Sequence, residues 1–104
     1  MPLAMTIIVR PQRAEVLCHR LLESGLVDDL AAAEVRGYGR QKGHLDTYAG
    51  DEYHLDVLPK VQVTGIIAEA DASRVADLIC TVARTGRIGD GKVFFQRIDE
   101  VGEF

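Results

Sequence analysis

The sequence predicts an α+β domain in which a strand–helix–strand unit occurs twice. Two observations carry this. Short β-branched apolar runs alternate with segments whose apolar residues recur at helical spacing, and the order then repeats. The chain is 104 residues long and 47% hydrophobic, which suits one core and argues against disorder. A domain of this length buries roughly two-thirds of its unfolded surface, too little for a deep internal pocket. A large pocket would therefore form at the surface or between subunits.

Leu3 to Val9 is a short apolar run that ends at Arg10-Pro11, as expected of a buried strand stopped by proline. From Arg13 to Ser24, Val16, Leu17, Leu21 and Leu22 recur at helical spacing, and Gly25 supplies a C-terminal stop. Leu30 to Tyr38 is assigned to a strand, although Ala31-Ala32-Ala33 is by propensity a helix former. Val57 to Ile67 is the clearest strand, with Val61, Val63 and Ile66 β-branched and Pro59 at its entry. Ala70 to Ala83 is a second helix, with Val75, Leu78, Ile79 and Val82 on one stripe and Asp71 or Ser73 as its cap. Val93, Phe94 and Phe95 form the last strand core. This order is the ferredoxin-like arrangement, a sheet with two helices on one face. Residues 39–56 stand out as a long connection between the second and third strands, of the kind that is usually functional.

Charge and composition exclude several classes. Twelve Lys+Arg against sixteen Asp+Glu give a net charge of -4, unlike a general nucleic-acid binder. No apolar run approaches the ~20 residues that span a bilayer, and Met1 to Val9 lacks the basic start of a signal peptide. The two cysteines, Cys18 and Cys80, have no metal-ligand spacing and are expected to be buried free thiols. A reduced, cytoplasmic protein without membrane insertion is the expectation.

The segment Thr85 to Lys92 holds three glycines, an arginine and a lysine. Glycines let backbone approach a ligand closely, and lysine adds a charge for phosphate oxygens. Gly86 to Lys92 also satisfies G-x-x-x-x-G-K, but Val93 replaces the Mg²⁺-binding Ser or Thr and a strand follows instead of a helix. A P-loop NTPase is rejected, while phosphate binding is retained. In the long connection, Arg40 and Lys42 add positive charge, and Tyr53 lies between Glu52 and His54 in a polar, accessible setting. No nucleophile, base and orienting group stand out by spacing, and His44 alone is weak evidence for catalysis. The residues leave three readings open: a ligand-sensing protein, a small nucleotide-hydrolysing enzyme, and a structural oligomer without ligands.

Taken together, the stretches GYGRQKGHLDTYAGDEYHLDVLPKV and TGRIGDGKVFF closely resemble the PII family of signal-transduction proteins, across nearly the whole chain. The resemblance implies a non-catalytic homotrimer in which residues 39–56 reach a membrane transporter or metabolic enzyme. It implies an ATP or ADP site, with AMP also conceivable, made by Gly37 and Arg40 with Thr85, Gly86, Arg87, Gly89, Asp90, Gly91 and Lys92. Gln41 would help coordinate Mg²⁺ in the ATP state. Gln41, Lys42, Gly43 and Lys60 would hold 2-oxoglutarate. Tyr53 matches a tyrosine that is uridylylated in some members. The C-terminal residues depart from the pattern: Glu103 falls about where an arginine is expected, and a second arginine has no counterpart. Asp28-Asp29-Leu30-Ala31 also differs near the expected adenine-contacting strand. These departures point to an alternative, a PII-like sensor of ADP or AMP with bicarbonate in inorganic-carbon uptake or carboxysomes. The intact Gln41 and Lys60 point back to 2-oxoglutarate.

Overall fold

A computed structural model describes residues 1–41, 54–86 and 90–104, with backbone only for 39–41 and 54–56. Along the chain run β1 (Pro2–Val9), α1 (Pro11–Ser24), β2 (Val27–Gln41), β3 (His54–Ala68), a 3-10 turn (Glu69–Asp71), α2 (Ala72–Ala83) and β4 (Gly91–Arg97). The four strands form one antiparallel sheet in the order β2-β3-β1-β4. This is the predicted ferredoxin-like arrangement.

Strict alternation along β1 sends Leu3, Met5, Ile7 and Val9 to the helix-covered face. There they meet Val61, Val63 and Ile67 of β3, Leu17 and Leu21 of α1, and Val75, Ile79 and Val82 of α2. No charged or polar side chain is buried among the described residues. The other face carries Thr6, Ile8, Thr64, Ile66 and Phe94, and no described element of this chain covers it. Phe94 is half exposed there.

The helix boundaries follow local chemistry. Pro11 occupies the first helical position, where its missing N–H costs nothing. Gly25 ends α1 in the left-handed region at φ 69°, donating its N–H to the Leu22 carbonyl. Asp71 stands at the start of α2 but makes no capping bond, and pairs with Arg74 instead.

Several expectations need correction. Of the predicted α1 stripe only Leu17 and Leu21 are buried, joined by Ala14, while Val16 and Leu22 face outward. A window of four apolar residues was wider than the face that α1 offers the sheet. Cys80 is exposed and Cys18 half buried, so neither thiol is fully buried. Pro59 lies inside β3, not at its entry, paired with Arg36. It is tolerated because β1 ends at the Val9–Val61 pair, so β3 has only one neighbour at Pro59. The strand ladder also takes both ends of the predicted 39–56 connection: Gly39, Arg40 and Gln41 pair with Asp56, Leu55 and His54. Lys42 to Tyr53 lie outside the described residues.

Gly91 has a demand of its own. It adopts φ 149° opposite Val9, and a Cβ there would sit 2.2 Å from the Ile8 carbonyl oxygen. Only glycine lets β4 begin this close to β1. Gly91→Ala is expected to destabilise the fold by about 3 kcal/mol in denaturant titration, from overpacking against backbone plus strain. Gly86, at φ 85° with open space around it, should lose only about 1–2 kcal/mol on the same change. Equal losses at the two sites would contradict this account. Burial also pushes the Cys18 thiol above its ordinary pKa. Near neutral pH, iodoacetamide should therefore label Cys80 several-fold faster than Cys18, as read by peptide mass spectrometry.

Candidate functional site

The site is assembled by strand register at one end of the sheet. Val9, the last residue of β1, pairs with Val61 on one side and Gly91 on the other. The pairing sets Lys60 of β3, Arg10 after β1, and Asp90 and Lys92 of the glycine-rich segment side by side. Lys60 and β4 are separated by the width of β1 alone, roughly 10 Å between strand axes. Lys60 had no reason from sequence position to be near residues 85–92. The intervening central strand supplies it.

On the helix side of this end, a groove of about 420 Å³ opens between α2 and β4. Its floor is apolar, formed by Ile7, Val9, Ile79, Ala83 and Val93. Cys80, Arg84, Gly86, Asp90, Gly91 and Lys92 complete the lining. An apolar slot with cations at its rim suits a ligand with a flat apolar part and an anionic part.

Asp90 is the most constrained polar group of the site. One carboxylate oxygen accepts the Thr85 backbone N–H at 2.7 Å, and the other accepts the Thr85 hydroxyl. The Arg10 Nε lies 3.7 Å from the same carboxylate, an ion pair longer than a hydrogen bond. The Asp90 side chain is only 14% exposed.

The other predicted residues are placed as follows. Gly37 pairs with Leu58 in the β2–β3 ladder, beside Lys60. A Cβ on Gly37 would make ordinary contacts, 3.5 Å from the Leu58 carbonyl oxygen and 3.6 Å from the Lys60 Cγ. Glycine is thus not required there by the chain itself. Arg40 and Gln41 end β2, with their backbones in the ladder. Arg87 and Gly89 in the glycine-rich segment, and Lys42, Gly43 and Tyr53 in the long connection, lie outside the described residues. Sequence reasoning missed Arg10, Cys80 and Arg84. Arg10 is visible in the sequence only as a strand terminator, and its role depends on β1 being the central neighbour of both β3 and β4. Cys80 is expected from sequence to be a buried thiol, and Arg84 caps the end of α2 where the pattern predicts no more than solvent contact, so neither is marked as part of a site.

Comparison with known proteins identifies the family. Residues 3–104 match the family profile of Nitrogen regulatory protein P-II. The chain is 43% identical to Nitrogen regulatory protein P-II of Rhizobium meliloti over 94 residues, 90% of this chain and 83% of that one. It is 39% identical to Nitrogen regulatory protein GlnK of Escherichia coli K12 over 97 residues, 93% of this chain and 86% of that one. Among solved structures, B. subtilis GlnK superposes with a TM-score of 0.75 at 28% identity, over 94% of this chain and 85% of that one. The B. subtilis GlnK–ATP complex gives the same TM-score at 25% identity, over 93% and 81%. The chain therefore belongs to the Nitrogen regulatory protein P-II family of non-catalytic signalling proteins.

Proposed function

We propose that this protein senses ATP or ADP at the β1–β3–β4 end of its sheet and reports the bound state through residues 39–56 to a membrane transporter or metabolic enzyme. The register that gathers Lys60, Arg10 and the Gly91–Lys92 foot around Val9 carries this reading. The known ATP complex of B. subtilis GlnK, a protein of the same fold, supports it. The groove between α2 and β4 is open to one side, as half of a shared cleft would be. The uncovered sheet face with Ile8, Ile66 and Phe94 offers the surface for a homotrimer that would complete it. The cytoplasm is its proposed location. Among the described residues no helix is long and apolar enough to cross a membrane.

The effector is proposed to be 2-oxoglutarate. A dicarboxylate needs a cation, and Lys60 stands one strand from the phosphate-binding foot. Mg²⁺ asks little of the protein, since it is usually held by one or two side chains plus substrate phosphates. Gln41 at the end of β2 would meet that need, so metal, nucleotide and keto acid would bind cooperatively. Tyr53 is proposed as the site of covalent modification.

Isothermal titration with ATP, ADP and AMP, with and without Mg²⁺ plus 2-oxoglutarate or bicarbonate, tests the reading. ATP should bind at sub-millimolar concentration, and 2-oxoglutarate with Mg²⁺ should tighten it. Absence of any nucleotide binding would sink the proposal, and tightening by bicarbonate alone would replace the keto acid. Lys92→Ala should weaken ATP by about tenfold or more, the usual loss for one charge-assisted hydrogen bond. Gly37→Ala should leave thermal stability unchanged while lowering nucleotide affinity, because only an incoming ligand would feel the added methyl. Phe94→Asp should convert a trimer to monomers in light scattering; a wild-type monomer at micromolar concentration would refute the assembly.

A further inference from the structure

We propose that Arg10 is a positioning residue for the phosphate site: it offsets the charge of Asp90, so that Lys92 meets a bound polyphosphate as an unopposed cation. This inference rests on the nucleotide-binding reading. Strand register places the three residues together. Val9 pairs with Val61 on one side and Gly91 on the other. Arg10 keeps an extended backbone, φ -67° and ψ 143°, before α1 begins. The pleat therefore runs one residue past the ladder, and Arg10 falls between Lys60 and Asp90. Val9 and Val61 are buried under the helices, so Arg10 and Lys60 lie on the uncovered face. Lys92 pairs with Ile8, a residue of that same face.

Asp90 is the acid that this arrangement has to manage. It stands two residues before Lys92, and a phosphate drawn to Lys92 would meet its carboxylate as a like charge. The Thr85 N–H and hydroxyl both donate to that carboxylate, but neutral donors leave its negative charge in place. Arg10 brings a full positive charge, with its Nε 3.7 Å from the carboxylate. At that length the contact is a pairing of charges more than a directed hydrogen bond. Both side chains are partly withdrawn from water, Arg10 at 30% and Asp90 at 14% exposure, so salt screens the pair less than it would a fully exposed one.

The test is a double-mutant cycle on the full chain, read by calorimetric titration with ATP and ADP. Arg10→Gln should weaken ATP by about tenfold, the effect of leaving one like charge nearby without its counterion. In the Asp90→Asn background the same change should cost about twofold or less, because no carboxylate is left to offset. ADP, with one phosphate fewer, should lose less than ATP. Arg10→Lys keeps the charge and should stay within about threefold of wild type. Equal losses on Arg10→Gln in both backgrounds would overturn the inference, since Arg10 would then act on the ligand or on the fold. Equal losses for ATP and ADP would also overturn it. Arg10→Met, taken through the same cycle, decides the matter if Arg10→Gln does not fold. Inorganic pyrophosphate, titrated against the same proteins, separates this inference from the reading beneath it. ATP binding without the Arg10–Asp90 coupling overturns the role of Arg10 alone. Coupling seen with pyrophosphate in a protein that binds no ATP overturns the nucleotide reading alone, and binding of neither overturns both.

Discussion

Val9 is shared by two strands at once, and the site depends on that sharing. Its pairings with Val61 and Gly91 fix how far β3 and β4 slide along β1. A slip of one residue would turn the side chains of a strand to the opposite face and bury Lys60 or Lys92 against the helices. The alternation of β1 prevents this. Leu3, Met5, Ile7 and Val9 are each nearly or fully buried, so a one-residue slip that turned β1 over would expose four core side chains. At roughly 1.5–3 kcal/mol for each buried aliphatic residue, that penalty outweighs any local preference of the glycine-rich segment. Functional geometry here is inherited from packing.

Gly91 shows how one residue serves both levels. A glycine in a G-x-x-x-x-G-K pattern invites a reading in terms of phosphate alone. The structure supplies an internal cause as well, a β1 carbonyl where a side chain would have to go. Gly37 is the opposite case, with room for a methyl group and no chain-internal need for glycine. Two glycines of the same predicted site thus differ in what selects them, a distinction that a motif cannot express.

The fold was legible because each element announces itself locally. β1 alternates at period two, α2 carries Val75, Ile79 and Val82 on one stripe, and Pro11 and Gly25 bracket α1. Even Ala31 to Ala33, helix formers by propensity, pair with Thr64 to Gln62 because the β3 partner dictates it. Legibility stopped where the cause is non-local. The reach of β2 to Gln41 and of β3 back to His54 is set by each strand's pairing with the other, through polar and glycine residues that look like loop. A bulge between Asp28 and Ala31, in which Asp29 adopts φ 54°, is likewise announced by no local pattern. The neighbours of Arg10 follow from sheet order, which no stretch of sequence around Arg10 encodes.

The unequal strand lengths have a mechanical consequence. β2 and β3 are 15 residues each, whereas β1 has 8 and β4 has 7. Beyond the Val9–Val61 pair, the β2–β3 ladder leaves the sheet as a ribbon running from Val35 and Lys60 to Gln41 and His54. Six residues past its root, that ribbon is roughly 20 Å long. As a lever pivoting at Lys60, it would convert a rotation of about 10° into a tip displacement of about 3–4 Å by that arm length alone. The residue proposed to meet the effector therefore stands at the fulcrum, where a small change in contact gains the largest reach.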